Sequence, residues 1–159
     1  IEGVILVCAG AVNDEEMAAR LRASERCRVL GRVSDADREL LYRNAQALLF
    51  PSLYEGFGIP VLEAMRSGLP VVTSKTSALP EVGGRAALYV DDPRDATALA
   101  VAVRRVLGDS ELQGTLVAAG RRQAASFTWD RCAAGVADAI RARLSLPEPA
   151  RSGPPPSPR

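Results

Sequence analysis

The chain has 159 residues, of which 47% are hydrophobic and 25% charged, a composition typical of a globular domain and not of a disordered or membrane-spanning protein. The formal net charge of +1 supplies no basic surface of the kind that nucleic acids require. Because histidine is absent from the sequence, the commonest general base and the usual nitrogen ligand of zinc are missing.

Short apolar runs alternate with helical patterns over the first 90 residues, which predicts strands separated by helices. The first run is continuous, so its strand is expected to be buried on both faces. The pattern Ser34-x-x-Asp37 predicts a capping box at the start of the second helix. The predicted strands cover residues 4–8, 28–30, 48–50, 71–73 and 87–90, and the other predicted helices cover residues 13–23, 60–66 and 79–82.

The second half of the chain is predicted to be helical, with helices over residues 97–107, 111–125 and 129–144. Their predicted N-caps are Asp95, Ser110 and Thr128, and Trp129 is expected to pack at a helix start. Six prolines follow in residues 147–159, so residues 145–159 are predicted to be a disordered tail or linker. This divides the chain into a domain over residues 1–144 and a Pro-rich tail over 145–159.

Repeated strand–helix–strand units predict an α/β fold with a doubly wound, Rossmann-like parallel sheet and a helical C-terminal end. In such sheets the ligand lies outside the carboxyl ends of the strands. The loops after Cys8, Leu30, Phe50 and Thr73 are therefore expected on the binding edge.

The segment SLYEGFGIPVLEAMRSGLPVV begins on that edge. Two glycines, Gly56 and Gly58, allow a tight turn and close approach of a ligand to the backbone. Pro60 suits the first position of a helix. The amides near residues 57–59 and at Val61 and Leu62 are expected to lack helical partners, which predicts a site for phosphate or sugar hydroxyls.

Two acids flank this turn, which is unexpected beside an anion site unless each has its own hydroxyl-rich partner. A nucleotide sugar supplies such partners, with a ribose for Glu63 and a sugar for Glu55. The alternative is an ordinary glycine turn with two solvated glutamates. A dinucleotide fingerprint does not fit, because Val61 stands where the third glycine is needed, and no Gly-Lys-Ser/Thr of a P-loop occurs.

The stretch NAQALLFPSLYEGFGIPVLEAMRSGLPVVTSKTSALPEVGGRAALYVDDPRD, together with FTWDRCA near the end, resembles the C-terminal, donor-binding domain of retaining glycosyltransferases of the GT-B fold, glycosyltransferase family 4. The resemblance covers roughly residues 1–140. Its ALPEV segment is similar to a branch rich in mannosyltransferases. The glutamate pair of that family is matched by Glu55 and Glu63.

The resemblance implies a role for each matching residue. Glu55 would contact the donor sugar near its reacting face and is the predicted catalytic residue, and Glu63 would bind the ribose. The loop that contains Arg32 and Val33 would border the base. The residues implied to bind the donor sugar and phosphates are Gly56, Phe57, Gly58, Ile59, Val61 and Leu62.

The resemblance also implies the reaction and its partners. The donor would be a GDP- or UDP-linked sugar, an NDP-sugar, and a hexose such as mannose would pass to a glycan or a lipid-linked acceptor, as in polysaccharide biosynthesis, with no metal and no other cofactor. Family members carry an N-terminal acceptor-binding domain, and a strand and loop whose Arg and Lys clamp the pyrophosphate. The chain starts after these parts, so we expect an N-terminally truncated piece that is inactive by itself.

Three widely spaced cysteines without a C-x-x-C pair are expected to be reduced, which predicts a cytoplasmic protein. Contact with the inner face of the membrane would be peripheral and made through the missing half, and no nucleic-acid partner is expected. Two other functions stay open: a non-catalytic nucleotide-sugar-binding module, and a phosphorylase or epimerase on the same fold.

Overall fold

A computed structural model describes residues 1–144, so the Pro-rich tail predicted for residues 145–159 lies outside the described part. The chain divides into a compact unit from Ile1 to Ala125 and a second unit that begins at Ser126. The predicted domain limit at residue 144 stays a prediction.

The first unit begins with a parallel pair of strands. Strand β1 (Leu6–Ala9) pairs with β2 (Cys27–Gly31), and Cys8 lies opposite Val29. Helix α1 (Glu15–Arg22) connects them. Parallel strands require such a crossover, and the helix covers one face of the pair.

The expectation that the first strand is buried on both faces is wrong. Three consecutive apolar residues, Ile5, Leu6 and Val7, are 57%, 42% and 43% exposed. A continuous apolar run predicts burial only where neighbouring strands and helices cover both faces. Among the described residues β1 pairs with β2 alone, so this covering is incomplete.

A second parallel sheet has the order β3-β4-β5, with strands Leu48–Phe50, Val71–Ser74 and Ala87–Val90. All four residues of the central strand β4 are buried, as expected for a strand with a partner on each edge and helices on its faces. Helices α2 (Asp35–Asn44), α3 (Ile59–Arg66) and α4 (Leu79–Gly83) lie between the strands in sequence.

These parallel strands and their connecting helices confirm the predicted α/β, Rossmann-like fold. Within residues 1–144 the strands form two hydrogen-bonded sheets, one of two strands and one of three. The predicted limits of all five strands agree with the structure to within two residues.

The C-terminal part is helical, as predicted. In the first unit, α5 (Ala96–Gly108) and α6 (Ser110–Ala125) pack near the three-stranded sheet. The core that they close with β4 and β5 contains Val72, Val90, Ala102, Val106 and Leu116. In the second unit, α7 (Trp129–Leu144) follows.

Helix caps follow the sequence at three of four positions. The side chains of Ser34, Asp95 and Thr128 accept hydrogen bonds from the backbone amides of Asp37, Ala98 and Arg131, which confirms them as N-caps. The prediction for Ser110 is wrong, because Asp109 accepts from the Leu112 amide at 2.8 Å and Ser110 is already helical. Asp and Ser are equally good N-caps, so the sequence does not show which of these two adjacent residues caps the helix.

Trp129 is 89% exposed, so the expectation that it packs at a helix start is wrong.

No helix within residues 1–144 combines the length and the hydrophobicity that crossing a membrane requires.

Candidate functional site

The carboxyl ends of β3 and β4 are joined by side-chain hydroxyls. The carbonyl oxygen of Ser52, just after β3, accepts hydrogen bonds from Ser74 Oγ and from Thr76 Oγ1, the latter at 3.0 Å. Ser74 is fully buried. The loop that carries the first glutamate is therefore held to the loop after β4, as the parallel order of the strands predicts.

Glu55 is fixed at both its backbone and its side chain. Its amide donates to Ser77 Oγ at 2.8 Å, and its carboxylate accepts from Ser52 Oγ at 2.9 Å. Ser77 has a φ of 47°, the one positive φ of a non-glycine residue in the described part of the chain. A half-buried carboxylate held in this way has a fixed direction at the edge of the sheet.

The turn after Glu55 needs glycine at one position in particular. Gly58 has a φ of 99° and is the residue before α3, and a Cβ there would lie 2.8 Å from Leu79 Cδ2. Leu79 is fully buried. Both the left-handed backbone and the close approach of α4 therefore exclude a side chain.

The helix begins one residue earlier than predicted, at Ile59, so Pro60 occupies its second position. The expectation that the Val61 amide lacks a partner is wrong, because it donates to the Gly58 carbonyl at 3.0 Å. A tight i to i−3 hydrogen bond of this kind is common in the first turn of a helix. Val61 is also fully buried.

Glu63 lies one turn inside α3 and is contacted by two donors from α2. Arg38 donates through Nη2 to Oε1 at 3.0 Å, and the Tyr42 hydroxyl donates to Oε2 at 3.1 Å. The side chains of Glu63 and Arg38 are 31% and 39% exposed. An ion pair this exposed stabilises a fold by only about 0–1 kcal/mol, so its main effect is on the orientation of the carboxylate.

The charges of this cluster support one another. The negative charge of Glu63 is the main cause that raises the pKa of Arg38. Burial, followed by the charge of Glu63 and the hydrogen bond to it, raises the pKa of Tyr42 to about 12. Tyr42 therefore keeps its proton and remains a donor to Glu63 throughout the neutral range.

The predicted base-binding residues Arg32 and Val33 lie between β2 and α2. Arg32 is exposed and Val33 is half-buried. The Gly31 carbonyl before them accepts from the Gly10 amide at 2.8 Å, so the loops after β1 and β2 meet. Helix α2 starts directly after this loop and carries the two donors to Glu63.

A cleft of about 200 Å³ opens beside α1 at the carboxyl end of β1. Its lining is mostly apolar, and none of the predicted site residues belongs to it. The residues that line it include Cys8, Gly10, Val12, Asp14, Met17 and Val29.

The structure thus brings Glu55, the glycine turn and Glu63 into one continuous segment after β3, between the loop after β4 and helix α2. Sequence analysis missed the residues that orient the two glutamates: Arg38, Tyr42, Ser52 and Ser77. The spacing of Arg38 and Tyr42, four positions apart on one helix face, is the signal that could have indicated a shared target.

Comparison with known proteins gives three findings. The model of the family described as "Glycosyl transferases group 1" matches residues 1–123. The chain is 45% identical over 105 residues to the O-antigen chain mannosyltransferase B of Escherichia coli, which covers 66% of this chain and 27% of that protein. It is 37% identical over 124 residues to the MMP alpha-(1->4)-mannosyltransferase of Mycolicibacterium hassiacum, which covers 76% of this chain and 30% of that protein.

Among solved structures, the sucrose-phosphate synthase from Thermosynechococcus elongatus is similar with a TM-score of 0.70 and 27% identity, over 89% of this chain and 39% of that one. The chain spans about 27–30% of the length of the two mannosyltransferase relatives.

Proposed function

The chain belongs to the glycosyl transferases group 1 family, and we propose that it supplies the nucleotide-sugar-binding part of a retaining glycosyltransferase. The transferred sugar is a hexose, and the names of the two mannosyltransferase relatives favour mannose. The donor is a GDP- or UDP-linked sugar, and the acceptor is a glycan or a lipid-linked sugar.

One observation carries this proposal: the glutamate before the glycine turn and the glutamate in the helix after it are held by separate sets of hydrogen-bond partners. Glu55 is directed by the serine hydroxyls at the sheet edge, and Glu63 by the two side chains of α2. Solvated glutamates would not need such contacts. Two oriented carboxylates suit two groups of hydroxyls, one on the donor sugar and one on the ribose.

The proposed roles follow from these positions. Glu55 contacts the donor sugar near its reacting carbon, and Glu63 binds the ribose. The backbone of Gly56, Gly58 and Ile59 approaches the sugar and phosphates, with Phe57 and Leu62 beside it. Arg32 and Val33 border the base. The Val61 amide is not among the phosphate contacts, because it already donates to the Gly58 carbonyl.

In the proposed reaction, the bond between the anomeric carbon and the diphosphate oxygen breaks, and a bond from the acceptor oxygen to that carbon forms on the same face. The acceptor proton passes to the departing diphosphate. The contribution of the protein is to orient the donor and to stabilise charge as it develops. Family members contribute an acceptor-binding domain and a pyrophosphate clamp, and we propose that this chain acts together with such parts.

The test is calorimetry with GDP, UDP and their hexose conjugates on the protein in full, as its gene encodes it. We expect one nucleoside diphosphate to bind. Glu63→Gln should weaken its binding by roughly tenfold, the effect of losing a charged hydrogen-bond acceptor. Glu55→Gln should reduce sugar transfer while leaving nucleoside diphosphate binding nearly unchanged.

Absence of binding at millimolar nucleotide would contradict the proposal. Product analysis with and without a glycan acceptor separates a transferase from a phosphorylase or epimerase. Nucleotide binding without any product would instead favour a non-catalytic module. The cytoplasmic location, inferred from the cysteines, stays a prediction.

A further inference from the structure

We propose that Arg38 and Tyr42 are positioning residues, which orient the Glu63 carboxylate so that it discriminates a ribose from a sugar lacking the 2′ and 3′ hydroxyls. The inference rests on the proposed function, because it concerns the nucleoside end of the same site. It adds two residues of α2 to a site that the sequence located only after β3.

Each oxygen of the Glu63 carboxylate accepts one hydrogen bond from α2. Arg38 donates to Oε1 at 3.0 Å, and Tyr42 donates to Oε2 at 3.1 Å. Residues four apart on a helix lie on the same face, so a single face of α2 supplies both donors. Two contacts on different oxygens fix the plane of the carboxylate as well as its position.

The carboxylate keeps capacity for a ligand. An ionised carboxylate has about four lone-pair positions, of which these two donors use one on each oxygen. The Glu63 side chain is 31% exposed, so the remaining positions are accessible. One free position on each oxygen matches two adjacent hydroxyl donors, which is the arrangement of the 2′ and 3′ groups of a ribose.

Arg38 is itself held in place. Its Nη1 donates to Asp35 at 2.9 Å, while its Nη2 reaches Glu63. Asp35 is the first residue of α2, next to Ser34, which caps that helix. The contact therefore fixes Glu63 relative to the start of α2, immediately after the loop predicted to border the base.

Arg38 and Tyr42 orient a carboxylate that is proposed to accept hydrogen bonds from the ribose hydroxyls. Their loss should therefore change the selectivity for ribonucleotides over dideoxynucleotides, and not only the affinity for nucleotides. A misaligned Glu63 still occupies the site but accepts poorly from both hydroxyls. A merely structural role would instead weaken the binding of every nucleotide by the same factor. The ratio of two affinities therefore separates the two roles.

The experiment measures, by calorimetry on the full protein, the affinity for GDP and for 2′,3′-dideoxy-GDP, and the same pair of uracil nucleotides. The natural sequence should prefer the ribonucleotide. Tyr42→Phe and Arg38→Gln should each reduce this preference by roughly threefold to tenfold, within the range of one ordinary hydrogen bond, because each variant leaves the other donor in place. Arg38→Lys, which retains the positive charge that Arg38→Gln removes, should keep part of the preference.

Two matched controls test the specificity of the effect. Arg43→Gln removes an ion pair with Glu39 on the same helix but touches nothing at Glu63. Tyr89→Phe removes the hydroxyl of another half-buried tyrosine, whose bond goes to the Gly84 carbonyl at 2.9 Å. Both controls should keep the ribonucleotide preference of the natural sequence.

Several results would overturn the inference. An unchanged preference in both Tyr42→Phe and Arg38→Gln would do so, and so would equal losses for the ribo- and dideoxynucleotides. Natural-sequence protein that binds nucleotides without preferring ribose would overturn the inference and the ribose role of Glu63, but nucleotide binding itself would still support a donor-binding function. If no nucleotide binds, both proposals fail. Should one variant not fold, as judged by circular dichroism, the other decides the outcome.

Discussion

Ser77 holds the Glu55 loop at an energetic cost. Its φ of 47° lies in the left-handed region, which serine rarely adopts. In that conformation its hydroxyl accepts the Glu55 amide at 2.8 Å. Such backbone strain costs of order 1–3 kcal/mol and persists only where the surroundings enforce it. Its location beside the proposed donor-sugar contact is where stored strain is commonly found.

Tyr42 gives the fold a dependence on high pH. Its pKa is raised from 10.0 to about 12, first by burial and then by Glu63. A raised pKa means that the folded state holds the proton more tightly than the unfolded state. The resulting stability is fully present below pH 10 and is lost as the pH rises through about 12.

We therefore expect the free energy of unfolding to fall between pH 10 and 12, and to fall less steeply in Tyr42→Phe. Urea denaturation at a series of pH values would measure this. Tyr54→Phe is the control, because that side chain is 80% exposed and its removal should not alter the slope. Equal slopes for Tyr42→Phe and the natural sequence would contradict the expectation.

At the scale of elements, the contact between α3 and α6 supports the site, because α3 carries Glu63. The helices approach closely at Gly120, where a Cβ would lie 3.1 Å from Met65 Cγ. Met65 is 1% exposed and cannot move into solvent. The small residue on α6 therefore sets how near the two helices lie.

Gly120→Val should destabilise the protein by about 1–3 kcal/mol, the usual cost of overpacking a closed core. Gly114→Val on the same helix is the matched control, since a Cβ there meets nothing within 4 Å. Thermal unfolding of the two variants would compare them. Similar melting temperatures for both would show that the helices can separate without cost.

Elements governed by local signals were predictable from the sequence. The strands Leu48–Phe50 and Ala87–Val90 and the helix Trp129–Leu144 have their predicted limits. The Asp109 cap was not predicted, because Asp109 and the adjacent Ser110 are both good N-caps. The exposure of β1 depends on what packs against it, which its own apolar run does not encode.

In the candidate site, too, the residues of one local segment were predictable and the contacts between distant residues were not. The glycine turn, Pro60 and the two glutamates could be read from one short segment. Arg38 could not be assigned, because its contact with Glu63 joins residues 25 positions apart, on separate helices. The Val61 amide was misjudged, because the geometry of the first helical turn depends on Gly58 and its left-handed backbone.

At the scale of the whole molecule, the described core is contained in the first unit. The buried hydrophobic residues run from Ala18 to Ala124. Helix α7, in the second unit, contributes no buried residue. The elements that carry the proposed site all lie within residues 1–125.

A chain that ends at Ala125 is therefore expected to fold and to unfold in one cooperative transition, as most domains of fewer than 150 residues do. Urea denaturation followed by circular dichroism would measure this. A chain that ends at Ala86, before β5, is the comparison and should not fold, because it lacks Val90, Ala102 and Val106 of the core. A gradual, non-cooperative loss of helix in the 125-residue chain would contradict the expectation.

The exposed apolar side chains at the start of β1 have a practical consequence for anyone who handles the chain. The side chains of Ile5, just before β1, and of Leu6 and Val7 within it are exposed, and in the described part of the chain β1 pairs only with β2. Exposed apolar side chains beside an open strand edge favour association between copies of the chain. A net charge of +1 gives those copies almost no mutual repulsion. We expect the protein to aggregate at high concentration, and to stay in solution when it is stored dilute and at a pH away from its isoelectric point.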